Sequence, residues 1–261
     1  MKGVAILGST GSIGLNTLDV IARHPGEFRA AVLTARASEE RLFEQCAAHR
    51  PDLVVLVEEA AARRLGERAG AEGVESHCES AKGVADDCIV ERGQRADLLV
   101  LGRDGQHVAH HSGLVGSTAN GVLHKTQKPS LVVPSAAQLG GPILLAFDGS
   151  AGSRVGAEIA VQLATRTAEA IHVFVDSKDK GRAQARFQEV HGLVGALPVP
   201  VREISSTLGR PDVKIIDSAR EIRAGVIVMG AYGRNRITDY FLGSNAAAVV
   251  RTSPIAVLLA R

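Results

Sequence analysis

AGVIVMGAYG at residues 224–233, followed by FLGSNAAAVVRTSPIAVLLAR at 241–261, reads as an apolar strand, a Gly-x-x-Gly turn, a variable loop, a Gly-Ser pair, a helix, a short turn and a last apolar strand. The same order of signals occurs earlier, in ADLLVLGRDG at 96–105 and LVGSTANGVLHKTQKPSLVVP at 114–134. The two copies lie 128 residues apart before the loop and 127 after it, so the first carries one extra loop residue. A repeat of that period points to two similar domains in tandem.

Outward from these stretches, short runs rich in Val, Ile and Leu alternate with longer segments of helical period. VAILG precedes LNTLDVIARH, AAVLTA precedes EERLFEQCAAH, and DLVVLVE precedes EEAAARRLGERA. The second half repeats the alternation with PILLAFD, RVGAEIAVQLATRTA, AIHVFVD, a polar helix near 178–192, VREIS, PDVKIIDSAREIRA and VIVMG. Such alternation builds βαβ units around a parallel sheet covered on both faces. The expected fold is α/β, two tandem Rossmann-like doubly wound domains with mainly parallel sheets, over residues 1–136 and 141–261. PSAAQLGGP at 134–142, with Pro, Ser and paired Gly between two strand signals, is the expected linker.

Composition narrows the partners. With 45% hydrophobic and 22% charged residues, the 261-residue chain reads as an ordinary globular protein. Only 3% of residues are aromatic and Trp is absent, which leaves few rings on which single-stranded nucleic acid could stack. The formal net charge is +2 with Lys and Arg scattered, so neither nucleic acid nor an anionic membrane is an expected partner. Cys46, Cys78 and Cys88 form no CxxC and are odd in number, which suits reduced thiols. The chain has neither a signal-peptide layout nor an apolar stretch of about 20 residues, and a cytoplasmic location is expected.

Gly230 and Gly233 leave the carboxyl end of a strand, where open α/β sheets place their ligand crevice. Glycine there allows close approach to a polyphosphate and positive φ. Gly243-Ser244 opens the next helix, whose free N–H groups and positive dipole end attract anions. Ser244 adds a hydroxyl, and Arg234 and Arg236 carry guanidinium groups suited to phosphate oxygens. From spacing alone a second reading stays open, in which the glycines turn the chain and the arginines are solvated.

Gly230-x2-Gly233-x9-Gly243-Ser244 resembles the ATP-binding signature of universal stress proteins, and the resemblance runs through the second half, including the opening strand ILLAFDGS. It implies phosphate contacts at Gly230, Gly233, Gly243 and Ser244, Asp148 near adenine and ribose, and Val173 near the base. It further implies ATP as the ligand, a sensing or regulatory role in a stress response, and pairing through the last strand, as a homodimer or between the two halves. No nucleophile with an orienting base is evident, so no catalytic residue is assigned and any ATP hydrolysis is expected to be slow.

GSTGSIG at 8–14 follows a strand and opens a helix, giving Gly8, Gly11 and Gly14 the spacing of a dinucleotide-binding turn. Arg36, at the end of the second strand, suits a 2′-phosphate and hence NADP rather than NAD; a solvated arginine is an equal reading. Residues 1–75 closely resemble the N-terminal NADPH-binding part of 1-deoxy-D-xylulose 5-phosphate reductoisomerase. No counterpart of that enzyme's metal-binding carboxylates or catalytic domain is found, so its activity is not expected. The rival function is an NADP-binding oxidoreductase, or a reductoisomerase-derived fragment, using GSTGSIG. From about residue 96 the first half instead resembles a universal stress protein domain, at Gly102, Gly105, Gly116, Ser117 and Thr118, with ten residues rather than nine between Gly105 and Gly116. His107, His110 and His111 read as solvated loop residues and no metal site is assigned. Glu39-Glu40 and Asp86-Asp87 read as solvated helix faces.

Overall fold

The computed structural model describes residues 2–56, 58–73, 83–103, 115–135, 137–138, 140–195, 198–207, 209–231 and 242–261. The early apolar runs form β1 (Lys2–Leu7), β2 (Phe28–Ala35), β3 (Leu53–Leu56) and β4 (Leu98–Gly102). Between them lie α1 (Ser12–Arg23), α2 (Glu39–His49), α3 (Glu59–Ala71) and α4 (Ala85–Gly93), followed by α5 (Ser117–Lys125) and β5 (Ser130–Val133). The later runs form β6 (Ile143–Ala146), β7 (Ile171–Asp176), β8 (Val201–Ser206), β9 (Val226–Gly230) and β10 (Ala256–Ala260). They alternate with α6 (Ala151–Thr167), α7 (Lys180–Val194), α8 (Pro211–Glu221) and α9 (Ser244–Thr252). The protein is α/β with mostly parallel strand pairing, and it packs as two units, Met1–Gly102 with Gly116–Lys128, and Arg103–Val115 with Pro129–Arg261.

In the first unit the strands run β3-β2-β1-β4, each pair parallel. Chain order therefore reverses between β1 and β4, the arrangement that opens a crevice at the strands' carboxyl ends. Ile6, Leu33, Leu99 and Leu101 are fully buried, as strands covered on both faces require. Helix α5 lies close against α4: a Cβ on Gly121 would overlap the Asp86 carboxylate, and Lys125 pairs with Asp86 at 2.8 Å and Asp87 at 2.6 Å. The hydrogen bond from Lys125 holds the Asp86 carboxyl below its usual range. Glu39 pairs with Arg64 at 2.7 Å. These acidic groups therefore tie helices together.

In the second unit the order is β5-β10-β9-β6-β7-β8, parallel except for β5, which runs antiparallel to β10 with Val132 opposite Val257 and Leu131 opposite Leu258. The core forms where β6 and β7 meet α6 and α7, around Leu145, Val173, Phe187 and Val190. Small residues let α6 sit low on the sheet: a Cβ on Gly156 would already touch Val228 at 3.4 Å. The sequence places a boundary at 136–141, whereas the packing groups β5 with the second unit, because its ladder partner is β10. The linker does turn on its glycines, with φ of 93° at Gly140 and 106° at Gly141. Among the described residues no helix is long and apolar enough to cross a membrane.

Candidate functional site

Chain order in the second unit reverses between β6 and β9, and an open cleft lies at that point, where doubly wound sheets place their ligands. Its walls are Asp148 after β6, Phe174 and Asp176 on β7, and Met229 and Gly230 on β9. Pro211 and Ile215 of α8 and the first turn of α9 complete it.

The two helix ends nearest these strands differ. Asp148 Oδ1 accepts the N–H of Ser150 at 2.9 Å, and Ser150 Oγ in turn accepts the N–H of Ser153 at 3.2 Å, so α6 is capped by its own sequence. Between them Gly149 has φ of 75°, a left-handed conformation that favours glycine. Helix α9 has Gly243 as its N-cap, with no side chain capping it and no acidic residue in its first turn. Its first internal bond runs from Ala247 N–H to Gly243 O at 2.9 Å, and the Gly243 N–H donates to Ala231 O at 2.9 Å, which leaves the Ser244, Asn245 and Ala246 amides at the positive end of the dipole. Gly243, Ser244 and Asn245 face the cleft. On the far wall the Arg210 guanidinium, 2.6 Å from Asp212, holds that buried carboxyl below its usual range and pins the start of α8.

Asp148, Gly230, Gly243 and Ser244 are thus brought together around one cleft. One expectation needs correction. Neither Gly230 nor Gly243 has positive φ, and Gly230 answers to packing: a Cβ would lie 2.9 Å from Ser153 N and 3.1 Å from the Gly152 carbonyl carbon, both on α6. Val173 does not line the cleft; it is buried in the core on the α6 and α7 face, and its neighbour Phe174 takes the cleft side because successive strand residues face opposite ways. Gly233, Arg234 and Arg236, like Gly105 and the loop histidines, lie outside the described residues. The sequence reading missed Phe174, Asp176, Pro211, Ile215 and Met229. The available signal was the alternation His172, Phe174, Asp176, which ends on a carboxylate at the strand's carboxyl end.

In the first unit Gly8 and Gly11 lie in the turn between β1 and α1, and Gly14 in the first turn of α1. Gly8 has φ of 79° and donates its N–H to Thr34 Oγ1 at 3.0 Å. A Cβ on Gly14 would overlap the Ser9 backbone. Gly11 is the N-cap of α1, again with no side-chain cap and no acid in the first turn. Ser9 is fully buried; its hydroxyl donates to Gln45 Oε1 at 2.7 Å, and Gln45 Nε2 donates to Ser9 O at 2.9 Å. The sequence reading missed Gln45. Arg36 follows β2, is exposed, and lies 3.7 Å from Glu58. Beside Gln45, burial pushes the Cys46 thiol up to about 11, which keeps it unreactive near neutrality. Among the described residues no group of three His, Cys, Asp or Glu is placed to hold a metal ion.

Residues 141–261 match the universal stress protein family. Residues 4–117 match 1-deoxy-D-xylulose 5-phosphate reductoisomerase, a match that takes in the stretch from 96 onward. The reductoisomerase of Methylococcus capsulatus is 54% identical over 74 residues, covering 28% of this chain and 19% of that enzyme. The reductoisomerase of a Janthinobacterium species is 32% identical over 153 residues, covering 59% of this chain and 37% of the enzyme. The chain thus spans about a fifth of the first of these relatives and 37% of the second. In fold, a universal stress protein from Archaeoglobus fulgidus superposes with a TM-score of 0.68 at 18% identity, covering 99% of this chain and 98% of that one. That likeness extends through residues whose sequence is reductoisomerase-like.

Proposed function

We propose that the second unit binds an adenine nucleotide, ATP foremost, between Asp148 and α9, and that the protein acts as a cytoplasmic sensor or regulator rather than as an enzyme. The observation that carries this reading is the uncapped, acid-free N-terminus of α9 facing the cleft across from the Asp148 carboxylate. One end of the cleft favours an anion and the other accepts hydroxyl or amino protons, which is the polarity of a nucleoside polyphosphate. The universal stress protein match over these same residues adds support. No described residue of the lining pairs a nucleophile with a base, so turnover of ATP is slow in this reading. Gly243→Asp tests it. Aspartate is a good N-cap at the observed φ of −55°, so the helix holds, while its carboxylate occupies and repels the anion position. Titration calorimetry of ATP should show affinity falling at least about tenfold, with the ligand-free melting temperature unchanged or raised. Equal binding by both proteins would refute the site.

A second reading concerns the first unit. The fit of Gly14 against Ser9 and the uncapped α1 support an NADP-binding turn, with binding and not catalysis as its role. NADPH should raise the melting temperature of the full chain. Gly11→Val, whose Cβ meets only the Gly8 carbonyl at 3.3 Å, should abolish that shift while leaving the ligand-free melt within a few degrees. A shift that survives the substitution would count against it.

A further inference from the structure

Every polar atom of Ser9 is bonded inside the first unit. Its N–H donates to Thr34 O at 2.8 Å, at the end of β2, its hydroxyl donates to Gln45 Oε1 at 2.7 Å, and its carbonyl accepts from Gln45 Nε2 at 2.9 Å. Gln45 reaches it from α2 and is itself buried, and α1 presses on the same peptide, since a Cβ on Gly14 would overlap the Ser9 carbonyl. The amides that follow are different. Those of Thr10, Ser12 and Ile13 donate to no described residue. The Ser9–Thr10 peptide is trans, and a trans peptide points its C=O and N–H in opposite directions. Because the Ser9 carbonyl is aimed at the buried Gln45 amide, the Thr10 N–H of that peptide is aimed away from it.

We infer that Gln45 is the positioning residue of this turn: by holding the Ser9–Thr10 peptide in one orientation, it keeps the Thr10 N–H outward for a phosphate oxygen of a dinucleotide. The inference rests on the NADP-binding reading of the first unit and adds to it a side chain whose own polar atoms are turned to Ser9. A flip of that peptide would set a carbonyl oxygen where the N–H stands, so that lone pairs met the phosphate, and would leave the buried Gln45 donor unbonded. A peptide fixed before the ligand arrives loses no freedom on binding, so the lock appears as affinity. The demand on position 45 is narrow. Its donor faces a carbonyl and its acceptor a hydroxyl, which an amide or a protonated carboxylic acid satisfies, whereas a carboxylate sets oxygen against oxygen.

Titration calorimetry of oxidised NADP on the full chain tests this, with Gly11→Val as the blank that marks the first unit's share. Well below the melting temperature each variant is folded, so a purely structural role would leave affinity unchanged. Gln45→Leu should weaken binding about tenfold. Gln45→Glu should weaken it by a similar factor at about pH 8 and return to within about twofold of the parent at about pH 5.5. Burial raises the pKa of the new carboxyl, and its protonated form restores both bonds to Ser9. Comparison with the parent at each pH removes the titration of the cofactor's own 2′-phosphate. Where Gln45→Leu fails to fold, the pH dependence of Gln45→Glu decides. Binding by Gln45→Leu within about twofold of the parent, or a Gln45→Glu deficit that acid does not relieve, overturns the inference and leaves the NADP site standing. Absence of any Gly11-dependent binding by the parent overturns the NADP-binding reading and this inference with it.

Discussion

Gly14 and Gln45 show what a single residue does and does not disclose. The spacing of Gly8, Gly11 and Gly14 announces a tight turn into a helix, and the structure supplies a separate reason for two of the three: positive φ at Gly8 and backbone contact with Ser9 at Gly14. Gly14→Ala must push a methyl group into main-chain atoms, which cannot rotate away as a side chain could. Overpacking of this kind costs about 3 kcal/mol. Chemical denaturation should show that loss in the first unit's unfolding, and a loss below about 0.5 kcal/mol would mean that α1 slides to make room. Gln45 was not legible. A polar residue within EERLFEQCAAH reads as solvent-facing, and its burial follows only once Ser9, 36 positions earlier, turns its hydroxyl and carbonyl toward it. A buried amide with both partners satisfied leaves no mark in sequence spacing.

At the scale of elements, the strands were legible because parallel strands buried on both faces read as unbroken apolar runs. The same continuity hides which residue faces which way. Ile171 to Val175 are all buried, so burial does not tell the two faces of β7 apart, and only the polar His172 and Asp176 mark the side on which Phe174 lines the cleft. Helix α9 was legible at its start, since Gly243-Ser244 before an apolar stretch signals an open N-terminus, and the absence of a side-chain cap agrees. Gly230 was legible as a glycine that matters, but its close contact with α6 was not. Its tight neighbours are Gly152 and Ser153 of α6, and which helix crosses a strand end is a tertiary fact that local pattern does not carry. For that reason Gly230→Val would disturb packing as well as any ligand, and Gly243→Asp is the cleaner probe of the anion position.

At the scale of the whole molecule, the two family matches leave residues 118–140 between them, and β5 comes from that unmatched stretch. Its position bears on the pairing expected through the last strand. Ser130, Leu131 and Val132 of β5 face Leu259, Leu258 and Val257 of β10, so β10 takes its antiparallel neighbour from the same chain. Ser130, Val132 and Val133 are buried there, and a second copy could reach β10 only by expelling them. At the other end of the second unit's strand order, β8 exposes Arg202 and Glu203, charges that disfavour pairing with another edge. The protein should therefore sediment as a 27.3 kDa monomer at micromolar concentration, with a mass that does not change on dilution. Val132→Asp, which places a charge in the buried face of β5, should loosen that strand, bare β10 and turn the monomer into a self-associating species. A parent protein that is already a dimer, and whose mass Val132→Asp leaves untouched, would place the interface on a surface other than the last strand.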